Sequence, residues 1–258
     1  MLVDIHAHLD LFSENEINDV VERAQSSGVK IIITNGLDSS TNRKALELSK
    51  KYNIVKAALG IYPIDALKRE KEEMHLGRHA EFDVDEELKF IESRKNEIVA
   101  LGEVGLDFVQ GSSASQQELF VKFIALSNKI GRPLIVHSRK AEEAAINILE
   151  ERKAKHVVLH CFNGKMSLVE RAVKLGFSFS IPCTINRSEH FQNLVKRIPL
   201  SHILTETDAP FLSPYPWRKN EPAFVSFTVK KIAELKGLNG EEAKKNIFMN
   251  CQRMFNGD

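Results

Sequence analysis

Eight short apolar runs recur along this chain, separated by longer stretches, and that alternation constrains the fold more than any other feature. The runs span residues 2–6, 30–34, 55–60, 98–103, 133–137, 156–160, 177–181 and 202–206. Most are continuous Val/Ile/Leu stretches rather than in-and-out alternations, as expected of parallel strands buried on both faces. Helical patterns occupy 14–27, 40–51, 115–130, 141–152, 167–175, 187–197, 223–236 and 241–255. After the third run lies an unusually charged stretch, 65–81, which reads as a surface excursion. Eight strands alternating with helical sequence in 258 residues predict an α/β fold of the (β/α)8 TIM-barrel type, built as a single domain over 1–258. A doubly wound open sheet is the competitor, but it usually has fewer strands and a glycine-rich first turn. Here the first strand ends in His-Ala-His-Leu-Asp, and no repeat or linker divides the chain.

Lys plus Arg number 36 against 35 for Asp plus Glu, so a net charge of +1 gives no case for a surface coated with phosphate-binding groups. A local basic groove remains compatible with it. The three cysteines are scattered, without CxxC spacing, which suits a reduced, intracellular setting. The amino terminus lacks the pattern of a signal peptide, and no apolar run approaches the roughly 20 residues that span a bilayer. A soluble, cytoplasmic protein is expected, with no membrane association and no obligate protein partner.

The nine histidines divide by position. His6, His8, His137 and His160 end apolar strands or lie just past one, whereas His75, His79 and His190 fall in polar contexts and His156 and His202 open strands. Functional groups of a barrel gather at the carboxyl ends of its strands. In an extended strand, residues i and i+2 point the same way, so His6 and His8 address one cavity. Glu103 closes a buried run, where an ionised carboxylate is costly unless a cation or donor compensates it. Asp107, four residues on, reads as a loop or supporting residue. Glu206 and Asp208 share a phase, so one ligates while the other supports. Four imidazoles and two carboxylates exceed the four ligands of a single tetrahedral zinc, and two divalent ions sharing a carboxylate fit the count. Nitrogen and oxygen donors suit zinc, manganese or cobalt, and less naturally magnesium alone. Cys161 has the opposite strand phase to His160 and is read as core.

These residues sit in motifs that run the length of the chain: Asp4-Ile5-His6-Ala7-His8-Leu9-Asp10, Ala58-Leu59-Gly60-Ile61-Tyr62-Pro63, Gly102-Glu103-Val104-Gly105-Leu106-Asp107-Phe108, Pro133-Leu134-Ile135-Val136-His137-Ser138-Arg139, His160-Cys161-Phe162, Glu206-Thr207-Asp208-Ala209-Pro210 and Arg218-Lys219-Asn220-Glu221-Pro222. In that order they resemble the TatD family of metal-dependent deoxyribonucleases, among the amidohydrolase-like barrels. The resemblance implies that His6, His8 and Asp208 bind one metal, that His137 and His160 bind the other, and that Glu103 bridges them. Tyr62 stands where many members carry histidine, Asn163-Gly164 replaces a common Ser-Gly, and residues 109–115 are atypical; these departures fall in substrate-facing loops.

The expected activity is metal-dependent phosphodiester hydrolysis, with DNA as substrate, single-stranded or at 3′ ends, cut as by a 3′-to-5′ exonuclease. Asp208 and Glu103 are the expected catalytic residues, Asp208 accepting or steering the proton of the attacking water. Arg139 is a candidate phosphate contact, with an ion pair to Glu142 or Glu143 as its alternative. Arg218, with Lys219, is another such candidate, with a solvated loop as the alternative. Phe211, Tyr215 and Trp217 either stack on a base or pack within their loop. An amidohydrolase-type enzyme acting on a small ester, lactone or phosphoester is the competing function, and it calls for a closed apolar pocket.

Overall fold

A computed structural model describes residues 1–63 and 82–256; the charged stretch 65–81 lies outside them. Eight parallel strands follow one another around the sheet in sequence order: β1 (Leu2–Ala7), β2 (Val29–Asn35), β3 (Val55–Leu59), β4 (Ala100–Gly105), β5 (Leu134–His137), β6 (Val157–His160), β7 (Ser178–Ile181) and β8 (Ile203–Thr205). Closure between β8 and β1 runs through the bridge Ala7–Ala209, with the His8 N–H donating to the Ala209 carbonyl at 2.7 Å and the Asp208 N–H to the His6 carbonyl at 2.9 Å. The fold is the expected (β/α)8 barrel.

The helices are α1 (Glu14–Ser26), α2 (Ser39–Lys51), α3 (Val84–Ser93), α4 (Ala114–Ile130), α5 (Glu142–Glu151), α6 (Met166–Lys174), α7 (Glu189–Arg197), α8 (Val225–Lys236) and α9 (Gly240–Phe255). Their boundaries follow local chemistry. Ser13 and Glu16 form a reciprocal capping box at the start of α1, which then buries Ile17, Val20, Val21 and Ala24 at helical spacing. α4 stops where Gly131 turns left-handed at φ 69°. α3 is a helix that the pattern of apolar residues did not reveal; Asp83 caps it, and its first turn carries Asp85, Glu86 and Glu87.

Between strands and helices lies a continuous apolar core, with Phe120, Phe123, Phe162, Phe177 and Phe179 among its largest fully buried side chains. Parallel pairing is regular except at a few places, two of them beside the site. The register slips between Asp4 and Ala7 on β1 and between Leu101 and Val104 on β4, so irregularities bracket His6 and Glu103. Such slips re-aim side chains and concentrate near functional sites. Gly105, at φ 140°, is required where β4 meets β5: a Cβ there would lie 2.0 Å from the His137 carbonyl oxygen. No helix among the described residues is long and apolar enough to cross a membrane.

Candidate active site

All six expected ligands converge at the carboxyl ends of the strands and all but Asp208 are buried residues there. His6 lies within β1 and His8 just beyond it, and their Nε2 atoms approach to 3.2 Å. Glu103 Oε2 lies 3.3 Å from His6 Nε2 and 3.4 Å from His8 Nε2. Asp208 Oδ1 lies 3.7 and 3.5 Å from the same two nitrogens. Ligand atoms at about 2.1 Å from a tetrahedral zinc stand roughly 3.4 Å apart. Five edges of such a tetrahedron are therefore present before any ion is considered.

The opposite face of Glu103 addresses the other two imidazoles. Its Oε1 lies 2.7 Å from His137 Nδ1 and 3.7 Å from His160 Nε2. Glu103, His137 and His160 form a second group of mutually close ligand atoms, short of a full tetrahedral set, as a catalytic ion with an open position requires. One carboxylate thus faces both groups, through different oxygens.

Each of three imidazoles is anchored by its far nitrogen, which is how metal-binding histidines are oriented. His8 Nδ1 lies 3.1 Å from the Asn35 carbonyl oxygen, His137 Nε2 3.2 Å from Asp107 Oδ2, and His160 Nδ1 2.8 Å from Glu206 Oε2. The Ser180 hydroxyl donates to that same Glu206 oxygen. Glu206 thus lies behind His160 while Asp208 faces the ligand cluster, which makes Asp208 the candidate ligand of the pair. Asp208 is not on a strand: β8 ends at Thr205, and the chain reaches Asp208 through backbone at φ 58°.

The chain matches the TatD related DNase family model over residues 3–256. A Bacillus subtilis protein named as an uncharacterized metal-dependent hydrolase, YabD, is 35% identical, covering 99% of each chain. Human deoxyribonuclease TATDN3 is 35% identical, over 98% of this chain and 94% of its own. Among solved structures, the TatD homologue YJJV of Escherichia coli superposes with a TM-score of 0.84 at 26% identity, covering 100% of this chain and 98% of that one. The chain belongs to the TatD family. It is a TatD-type metal-dependent hydrolase, and the ligand clusters are candidate metal-binding groups.

Burial and charge compete in this TatD site. Burial alone disfavours every ion in it, and stacking of His6 on His160 at 3.8 Å adds repulsion, so His6 is pushed down to about 4. Against the same burial, Glu206, Glu103 and Asp208 lift His160 to about 9. Glu103 is held well below the usual carboxylate range because, against its burial, His6, His137 and His8 stabilise the anion. Beneath the site, burial raises Asp4 to about 8, although it accepts from the N–H groups of His6 (3.3 Å) and Thr207 (2.9 Å) and from the Thr207 hydroxyl (2.5 Å). The Asn220 amide donates to the Thr207 carbonyl at 2.6 Å, so Asp4, Thr207 and Asn220 tie β1 to the segment bearing Asp208. Sequence reading missed this brace; its signal was the polar Asp4 inside an apolar run.

A cavity of about 1190 Å³ opens over the clusters, lined among others by Tyr62, Arg139, Lys140, Lys165 and Phe211. Arg139 is exposed on its rim, in the turn after β5. Arg218 is elsewhere engaged: it donates to Glu221 at 3.0 Å and lies over the Phe224 ring, and it does not line the cavity. Lys219 meets Glu16. The aromatic loop splits, with Phe211 6.2 Å from His8, Tyr215 packed on Phe224 and Phe227, and Trp217 82% exposed. Strand β6 ends at His160, and a turn at φ 43° brings Cys161 to the cavity wall, where it is half-buried and still packs against the apolar core, as expected. His190 is half-buried, its Nε2 3.0 Å from the Phe162 carbonyl oxygen, while His202 binds the Phe177 carbonyl at the start of β8. His75 and His79 lie outside the described residues.

Proposed function

We propose that this enzyme hydrolyses DNA phosphodiesters with two divalent ions, releasing 5′-mononucleotides from the 3′ ends of single-stranded DNA. The observation that carries the reading is Glu103, one buried carboxylate facing His6 and His8 with one oxygen and His137 and His160 with the other. The donor set fits such ions: nitrogen and oxygen atoms at ligand spacing, without thiolate, suit zinc, manganese or cobalt better than magnesium alone. Bound there, the ions would supply an acidified water and neutralise charge on the phosphate oxygens.

The residues then divide the work. Glu103 holds both ligand groups in register, and Asp208, at the edge of the first group, accepts or steers the proton of the attacking water. Arg139, on the rim, offers its guanidinium fork to a non-bridging phosphate oxygen. The DNA assignment is supported by the family and by the deoxyribonuclease name of the human relative. Cavity form supports a polymer over a small molecule. Its volume of about 1190 Å³ exceeds the ~300–1,000 Å³ of ordinary small-molecule pockets, and charged side chains line it.

The test is release of 5′-mononucleotides from end-labelled single-stranded DNA, with zinc, manganese, cobalt or magnesium and with chelator. Metal-dependent release from the 3′ end is expected. Absence of release with every metal, together with turnover of small lactones or phosphoesters, would overturn the nuclease reading in favour of an amidohydrolase-type activity.

A further inference from the structure

The Tyr62 hydroxyl stands 3.1 Å from His137 Nε2 and 3.3 Å from Asp107 Oδ2, and that same carboxylate oxygen lies 3.2 Å from His137 Nε2. We propose that Tyr62 is a positioning residue which, through Asp107, holds His137 for the ion grouped with Glu103 and His160. The proposal rests on the two-ion reading above.

Every placement of protons that satisfies this triangle and leaves His137 able to bind metal through Nδ1 puts a proton on Nε2. A tyrosine hydroxyl alone beside an imidazole nitrogen can donate to it. Nε2 would then be the bare nitrogen and Nδ1 would carry the proton. That is the wrong tautomer, because Nδ1 is the atom that faces Glu103 at 2.7 Å. An ionised carboxylate only accepts. With Asp107 in the triangle, the Tyr62 O–H is committed to Oδ2, the His137 Nε2–H is held between Oδ2 and the Tyr62 oxygen, and Nδ1 is left with its lone pair toward the ion. Asp107 is itself steadied on its other oxygen, which accepts the Val109 N–H at 3.0 Å.

Tyr62 is placed to do this without freedom to swing. It is 5% exposed, and its N–H donates to the Leu37 carbonyl at 2.9 Å. Two residues earlier, the Asn42 side chain grips Gly60 twice, donating to its carbonyl at 2.9 Å and accepting its N–H at 3.0 Å. The other ligands have different anchors: His8 uses the Asn35 carbonyl, and His160 uses Glu206. Loss of the Tyr62 hydroxyl should therefore be felt at one ion and not at the other. Removing the partner of a metal-binding histidine typically weakens the metal ~10–100-fold, and Tyr62, acting one contact further out, belongs at the lower end, about tenfold.

The experiment loads full-length wild type, Tyr62→Phe, Asp107→Asn and the double variant with zinc, withdraws metal with graded chelator, and measures the zinc retained per chain. Wild type should release two ions in separable steps. Tyr62→Phe should release one of them at about tenfold lower chelator and the other unchanged, which also shows that the variant is folded. Asp107→Asn should weaken the same ion further, and the double variant should match Asp107→Asn, because Tyr62 acts through that carboxylate. Identical release curves for wild type and Tyr62→Phe, equal weakening of both ions, or additive effects in the double variant would each overturn the proposal while leaving two ions in place. A wild type that retains a single ion overturns the two-ion reading itself, and the proposal with it.

Discussion

His160 Nδ1 meets Glu206 Oε2 at 2.8 Å, while the opposite nitrogen of the same ring faces Glu103 at 3.7 Å. A carboxylate behind an imidazole fixes which nitrogen carries the proton and raises the basicity of the one that binds metal. Glu206→Gln keeps the shape and removes the charge. Metal affinity is expected to fall ~10–100-fold, with a parallel loss of activity that added metal partly restores. Activity at saturating metal equal to wild type, with unchanged affinity, would show that Glu206 serves the fold alone.

Glu103→Ala should be more severe. Its carboxylate faces all four imidazoles, through Oε2 on one side and Oε1 on the other, so no single neighbour can replace it. Retained zinc should drop below two ions per chain and turnover should fall by more than the ~10–100-fold of an outer partner. The circular dichroism of the barrel should persist, because its core is built from apolar strand and helix positions. Near-normal metal-dependent rates in this variant would remove Glu103 from its bridging role.

Metal-free protein should lose stability as pH rises from about 6.5 to about 9. His160 is lifted in the folded chain from 6.5 to about 9, so its contribution is complete below 6.5 and disappears as pH climbs through the higher value. Asp4, raised from 3.8 to about 8, has the same sign and is exhausted by about pH 8. Metal loading runs the other way, since the proton on His160 must leave before an ion can bind, and affinity should increase over the same interval. Melting temperatures of chelator-treated protein across that window provide the measurement. A flat or rising profile would contradict the assignment.

The side chains that gather at the site were legible as candidate ligands because chemistry and period coincide: a histidine or carboxylate closing an apolar strand has few uses, and the HxH step aims two rings together. Glu103 and His137 needed nothing further. Asp208 was legible as a residue but not as geometry, since a left-handed turn past β8, rather than strand phase, delivers it. Cys161 shows the same limit: it packs against the core as read, but a turn past the last strand residue also brings it to the cavity wall, which strand phase did not foresee. Helix α3 escaped because its opening residues, Asp83 to Glu87, resemble a charged loop, although the same acids cap its amino end. The Asp4–Thr207 brace joins residues 203 positions apart, and no local pattern encodes which polar groups will meet over that separation. Arg218 shows the converse: a cation in a motif is engaged by Glu221 and a phenylalanine ring rather than by the cavity.

Lys140 and Lys165 line the cavity from the loops after β5 and β6, and among the described residues neither is paired with a carboxylate. Both are exposed, and Lys140 is held at φ 60°, a conformation uncommon for a residue with a side chain. Glu142 and Glu143 share the wall, so the local field is mixed rather than strongly positive. On the proposed DNA reading, two lysines in that setting would act on individual phosphates rather than as a steering surface, and each phosphate neutralised on a single strand releases counterions with a salt slope of about 0.7. Lys140→Gln/Lys165→Gln should therefore raise KM for single-stranded DNA, leave kcat nearly unchanged, and flatten the plot of log KM against log salt by about 0.7 for each phosphate no longer neutralised. Hydrolysis of a small phosphodiester that reaches only the metal cluster should be unaffected by the same changes. An unaltered salt slope on DNA would place both lysines in solvent and leave phosphate binding to Arg139 and the metal cluster.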